Sequence, residues 1–119
     1  MMHTQLLENL KFRDDHPYAE PLIAAEWGLA LRFMLKAGQS IKEHRAPHSP
    51  LFIVVLKGEG IFAGADGKEV KAGPGTLIIF EPGEEHTVRA LDEELVFVGF
   101  LHGSPGIQPG KITGTLVGK

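Results

Sequence analysis

Fifteen glycines and eight prolines punctuate this chain of 119 residues, and nearly all fall between short apolar runs rather than inside them. Each Gly costs a helix interior about 1 kcal/mol relative to Ala, and each Pro about 3 kcal/mol. Punctuation this dense therefore leaves little room for helices. Short strands joined by tight turns tolerate it, because turns use the positive φ of Gly and the fixed φ of Pro. The spacing predicts an all-β domain.

Along the chain, Leu6, Leu7 and Leu10 stand at helical spacing, so the stretch Thr4 to Phe12 fits either a short helix or an extended arm. Pro17 and Pro21 break any helix. Strand-like runs follow: Leu22 to Trp27, a turn at Gly28, then Leu29 to Lys36, ended by Gly38. Leu51 to Leu56 is almost wholly apolar, as in a strand buried on both faces or lining a closed barrel. Beyond Lys57-Gly58-Glu59-Gly60 come Ile61 to Ala63 and then Asp66-Gly67, a dipeptide that predicts a type I′ hairpin with both residues at positive φ. Thr76 to Phe80, the turn Glu81 to Glu85, His86 to Ala90 and Leu95 to Leu101 complete a set of about eight to ten strands. No repeat of solenoid or propeller period is present. The expected organisation is one domain over 1–119, with a barrel core at about 20–102, an N-terminal arm over 1–19 and a C-terminal tail over 103–119 that either packs outside the barrel or stays mobile.

A formal net charge of −3 argues against nucleic acid or an anionic membrane as partner, since both select clustered Lys and Arg. With no cysteine, the chain has no disulfide, thiolate metal site or Cys nucleophile. No basic segment followed by an apolar stretch opens the sequence, and no apolar run approaches the ~20 residues of a membrane span. A soluble, cytoplasmic protein is the expectation.

Chemistry concentrates in the six histidines. His3 and His16 lie in a polar N-terminal stretch, where solvated side chains are expected. The remainder have motif context. Gly38, five residues, His44, and later Gly58, together with Gly75, Gly83 and His86, fall at the spacings of two ordered motifs. On these residues the chain resembles the cupin superfamily, over Gly38 to Ala90. The resemblance implies a single-domain jelly-roll β-barrel with a metal-binding pocket inside it, and pairing of barrels into a homodimer. It is a degenerate match. Ala46 stands where the family has a second histidine and Leu51 where it has a glutamate; Pro82 is one place late and Ala90 replaces an asparagine.

His48 is the replacement ligand available. Residues 44, 46 and 48 share a strand face if the strand runs straight, although Pro47 and Pro50 argue for a corner there. His44, His48 and His86 are thus the expected ligands of a divalent transition metal (Zn, Fe, Ni, Mn or Cu), whose imidazole preference they suit. The competing reading makes His44 and His86 members of a hydrogen-bonded polar pocket with no metal. His102 is a fourth candidate, more simply the exposed end of the last strand. Leu51, Ile53 and Val55 are expected to line the pocket and favour a small, partly apolar ligand. Glu43 is expected to face solvent, and Glu81, Glu84 and Glu85 to form a solvated acidic turn. Trp27, Phe33, Phe97 and Phe100 are expected in the core or at a dimer interface. Two functions follow: a metal-dependent enzyme of dioxygenase or isomerase type, or a binding or sensing protein without turnover.

Overall fold

Strands form where apolar residues alternate or run together, and each run ends at the Gly, Pro or charged cluster that follows it. A computed structural model describes residues 1–44 and 49–102, without the side chains of residues 43 and 44. Among the described residues there are nine strands and no helix: β1 (Tyr18–Ala25), β2 (Gly28–Leu35), β3 (Ser40–His44), β4 (Leu51–Lys57), β5 (Gly60–Ala63), β6 (Glu69–Ala72), β7 (Leu77–Phe80), β8 (His86–Ala90) and β9 (Leu95–His102). The expected tail over 103–119 and the corner at His48 lie outside the described residues.

The strands make two sheets, a larger one in the order β1-β2-β9-β4-β7 and a smaller one in the order β3-β8-β5-β6, with every pairing antiparallel. The arrangement is a jelly-roll sandwich. Among the described residues no ladder joins the two sheets, so closure into a hydrogen-bonded barrel is corrected to two sheets facing each other across an apolar layer. That layer holds Leu29, Leu31, Phe33 and Leu35 from β2, Leu51, Ile53 and Val55 from β4, and Leu95, Phe97 and Leu101 from β9. Across from them stand Phe62, Val88 and Ala90 of the smaller sheet. Phe97 is the hub, stacked on Phe33 at 4.7 Å and edge-on to Phe62 at 5.5 Å between ring centroids. Such aromatic pairs add about 0.5–1.5 kcal/mol beyond the area they bury.

Several local expectations are corrected. Of the two forms open to residues 4–12, the helix is absent, and the stretch holds a turn and bends. The first hairpin turns at Glu26-Trp27, and Gly28 opens β2 opposite Ala25. Pro21 sits on an edge strand beside a register shift, where a missing N–H leaves no ladder bond unmade. The Asp66-Gly67 hairpin is present, but its loop spans 64–68 between the paired residues Ala63 and Glu69. Only Gly67 has positive φ, at 75°, and its N–H donates to the Gly64 carbonyl at 3.1 Å. The Asp66 carboxylate instead accepts the Lys68 N–H at 3.0 Å, which holds the longer loop. In β4 burial alternates rather than persisting on both faces: Leu51, Ile53 and Val55 are buried, and Phe52, Val54 and Leu56 are half-exposed.

Candidate functional site

Motif spacing matters because of the end of the sandwich to which it brings the residues. In the larger sheet one terminal row consists of Leu29, Leu101, Leu51 and Phe80, each in register with the next. In the smaller sheet the terminal row at the same end is His44 opposite His86. The two rows meet through the Phe80 ring, which stacks on the His86 imidazole at 4.5 Å between centroids and 15° between planes. β7 and β8 are consecutive, and the turn Glu81-Pro82-Gly83-Glu84-Glu85 folds the chain back so that this contact can form.

His86 is 4% exposed. Its Nδ1 lies 3.2 Å from the backbone carbonyl of Glu84. A carbonyl only accepts, so the bond requires the proton on Nδ1, which leaves the lone pair of the neutral ring on Nε2. Burial pushes the imidazole pKa below its ordinary value; the Glu84 carbonyl bond and the Glu84 charge oppose that shift without cancelling it. The ring is therefore held neutral, oriented and largely dry, the state in which imidazole binds a metal. Its donor chemistry fits one position of a transition-metal site.

Other expected site residues are distributed unevenly. His44 ends β3 with its Cα in register with that of His86, after a register shift between Ile41 and His44. The side chain of His44 and all of His48 lie outside the described residues. Among the described residues, no group of three His, Asp or Glu side chains could hold a metal. Leu51, Ile53 and Val55 face the core at 3%, 1% and 0% exposure. Leu51, at the motif's glutamate position, sits beside Phe80 in this end row. His102 is exposed, with its ring centroid 6.1 Å from that of Phe52 on the outward face of the larger sheet. Its backbone N–H donates at 2.9 Å to the buried hydroxyl of Ser49, which itself donates to the Pro50 carbonyl at 2.7 Å.

Glu84 corrects the expectation of a solvated acidic turn. Its carboxylate accepts the N–H of Glu81 at 2.9 Å and that of Ala65 at 3.0 Å, tying the β7–β8 turn to the β5–β6 loop. Glu81 and Glu85 remain exposed. Sequence reasoning missed the roles of Phe80, Glu84 and Ser49. The stacking partner could have been found from the six-residue return of a tight β7–β8 turn; the carbonyl and hydroxyl contacts leave no sequence signal.

A two-sheet jelly roll with an oriented, neutral histidine at one end of its core defines a class of small β-sandwich domain. The family model for the cupin domain matches residues 31–100, and the chain belongs to that family. Among solved structures it is similar to an RmlC-like cupin protein from Desulfovibrio desulfuricans, with 31% identity, 85% of this chain and 96% of that one covered, and a TM-score of 0.76. A conserved protein with a double-stranded β-helix domain from Klebsiella pneumoniae shares 19% identity over 88% of this chain and 92% of that one, with a TM-score of 0.81. The DMSP lyase DddQ from Ruegeria pomeroyi shares 21% identity over 79% of this chain and 50% of that one, with a TM-score of 0.71. The latter two likenesses are of fold. No curated protein sequence matches the chain.

Proposed function

We propose that this cupin domain holds a divalent transition metal (Zn, Fe, Ni, Mn or Cu) through His44, His48 and His86, and binds a small, partly apolar ligand beside it. The buried, neutral ring of His86, fixed between Phe80 and the Glu84 carbonyl, carries this reading. The direct register of His44 with His86 supports it, since such pairs are the ones adjacent strands bring closest. When bound, the metal supplies a Lewis-acid or redox centre. The chain's own residues do the rest: the Nδ1–H of His86 donates to the Glu84 carbonyl and fixes the ring, while Leu51, Ile53 and Val55 give the pocket an apolar floor that excludes water. The activity assigned is of dioxygenase or isomerase type, in a cytoplasmic homodimer with neither nucleic acid nor membrane as partner.

A second reading, small-molecule binding or sensing without turnover, is favoured by one observation. The position at which the family carries a glutamate is Leu51, closed into the apolar core, so no carboxylate is supplied from there.

The test is metal content of the untagged protein purified without added metal, against His44→Ala and His86→Ala variants. Near-stoichiometric metal, reduced about 10-fold or more in each variant, is expected, in line with losses on removing a ligand or its support. Protein that takes up no divalent metal on loading would refute the metal site. Turnover of a panel of small diketones, flavonoids, sugars and acids then separates enzyme from binding protein.

A further inference from the structure

One carboxylate, two residues before His86, joins the β7–β8 turn to the β5–β6 loop. The turn closes on itself twice. The Glu84 N–H donates to the Glu81 carbonyl at 3.0 Å, and the Glu81 N–H donates back to Glu84 Oε1 at 2.9 Å. The other carboxylate oxygen, Oε2, accepts the N–H of Ala65 at 3.0 Å. Ala65 belongs to a loop with a bond of its own, from the Gly67 N–H to the Gly64 carbonyl at 3.1 Å. That loop begins where Ala63 pairs with Thr87, the residue after His86. Both Glu84 oxygens are thus committed to backbone N–H groups of different segments, through bonds of the charge-assisted kind. The backbone carbonyl of the same residue accepts the Nδ1–H of His86 at 3.2 Å.

A glycine makes this clamp possible. A Cβ on Gly64 would overlap Glu84 Oε2 and stand 3.2 Å from the Glu84 Cδ. It would also lie 3.5 Å from Cε1 of Phe80, the ring stacked on His86. Gly64 does not have positive φ, so its backbone conformation does not call for glycine. What the position excludes is a side chain where the carboxylate sits.

We propose that Glu84 and Gly64 are positioning residues for His86. The carboxylate, seated against Gly64, holds the 81–85 turn to the 64–68 loop. It thereby keeps the Glu84 carbonyl where it fixes the His86 ring, with the proton on Nδ1 and the lone pair on Nε2. This rests on the metal reading above and adds two residues outside the ligand set. A carbonyl that shifts lets the neutral ring take its other tautomer, and outer partners of this kind change metal affinity about 10–100-fold.

Gly64→Ala and Glu84→Ala test it, singly and together. Gly64→Ala keeps every charge, strains no backbone and displaces only the far end of a flexible side chain, so it retains the fold and carries the test if Glu84→Ala does not fold. Imidazole nitrogen NMR shifts of metal-free protein, with the ring neutral, read the tautomer. Wild type is expected to hold the Nδ1–H form, and each variant a mixture of the two. Zn²⁺ affinity, from competition with a chromophoric chelator, is expected to fall about 10-fold in each. The double variant should fall no further than Glu84→Ala, since both substitutions open one clamp. Glu85→Gln removes a charge from the same turn at an exposed position and should leave tautomer and affinity close to wild type. An unchanged Nδ1–H tautomer in Gly64→Ala and Glu84→Ala overturns the proposal. So do additive losses in the double variant, or a loss in Glu85→Gln equal to that in Glu84→Ala. Should wild type take up no Zn²⁺, the metal reading fails by itself, and the tautomers of the metal-free variants still decide whether Glu84 and Gly64 position His86.

Discussion

At the residue scale, His86 links a motif position to a measurable property. The motif spacing alone singled out His44 and His86, because two glycine-anchored segments in fixed order leave few positions for them. What holds His86 was not legible, since a backbone carbonyl at residue 84 and a ring at residue 80 act through the turn geometry between them. Burial depresses the folded-state pKa of His86 below 6.5, while the unfolded chain titrates at its ordinary value. Between those two values the unfolded state binds more protons, so stability is complete above pH 6.5 and falls as pH drops through the window beneath it. In metal-free protein the slope from this group approaches at most about 1.4 kcal/mol per pH unit. Chemical denaturation of chelator-treated wild type and His86→Gln at a series of pH values checks this. The amide stays neutral, so the stability difference between the two proteins should shift in favour of the Gln variant as pH falls below 6.5. A difference independent of pH would refute the assignment.

At the element scale, turn chemistry was the most readable part of the sequence, and its failures are local. β4, β8 and β9 stand within a residue of where apolar runs placed them, because Gly, Pro or acidic clusters bound them on both sides. β6 was not recognised as a strand. Glu69-Val70-Lys71-Ala72 exposes its first three residues and buries only Ala72, so no apolar run marks it. The motif glycine Gly58 has a steric explanation. It adopts φ +76°, and a Cβ there would stand 2.1 Å from the Glu94 carbonyl oxygen. Gly67 has nearly the same φ, +75°, with nothing within 4 Å of its Cβ position. Gly67→Ala is therefore expected to cost about 1–2 kcal/mol, the left-handed backbone penalty alone. Gly58→Ala adds a clash with backbone that cannot swing away, and about 2–4 kcal/mol in total is expected. Urea titration of both variants makes the comparison. Equal losses would mean that the β4–β5 turn relaxes away from Glu94 at no cost.

At the scale of the whole molecule, strand count and turn spacing gave an all-β domain and the resemblance of the two motifs gave the jelly roll, but the separation into two sheets and the path of the arm were not legible. The arm's route is set by one buried cation. Arg32 is 4% exposed and lies on the outward face of β2. Its Nε and Nη2 donate to Glu20 Oε1 at 3.0 and 2.5 Å, and its Nη1 to the carbonyls of Leu6 and Glu8 at 3.0 and 2.9 Å. A lone arginine in the apolar run Gly28–Leu35 gives no hint of these partners, which are 12 to 26 residues away in sequence. Lys36 with Asp14, and Gln39 with the Arg13 carbonyl, fasten the arm further along. Arg32→Met keeps an apolar stem over Val98 and removes every one of the guanidinium bonds. Hydrogen bonds to a charged donor contribute about 1.5–3 kcal/mol each, and part returns when the freed carbonyls meet water. A net loss of about 2–4 kcal/mol, concentrated in the arm, is expected. Amide exchange of residues 5–14 should accelerate about 10-fold or more, since each 1.4 kcal/mol is tenfold in a local opening equilibrium. Exchange in β4 and β9 should change far less. Opening the arm also bares Met34, Val96 and Val98, which adjoin the apolar face around Phe100, so the variant should bind more of a hydrophobic dye and aggregate sooner on heating. Glu20→Gln retains the carbonyl bonds and should show a smaller effect on the same amides. If Arg32→Met leaves exchange across residues 5–14 at the wild-type rate, the arm is held by its half-buried Leu6, Leu10 and Phe12 instead.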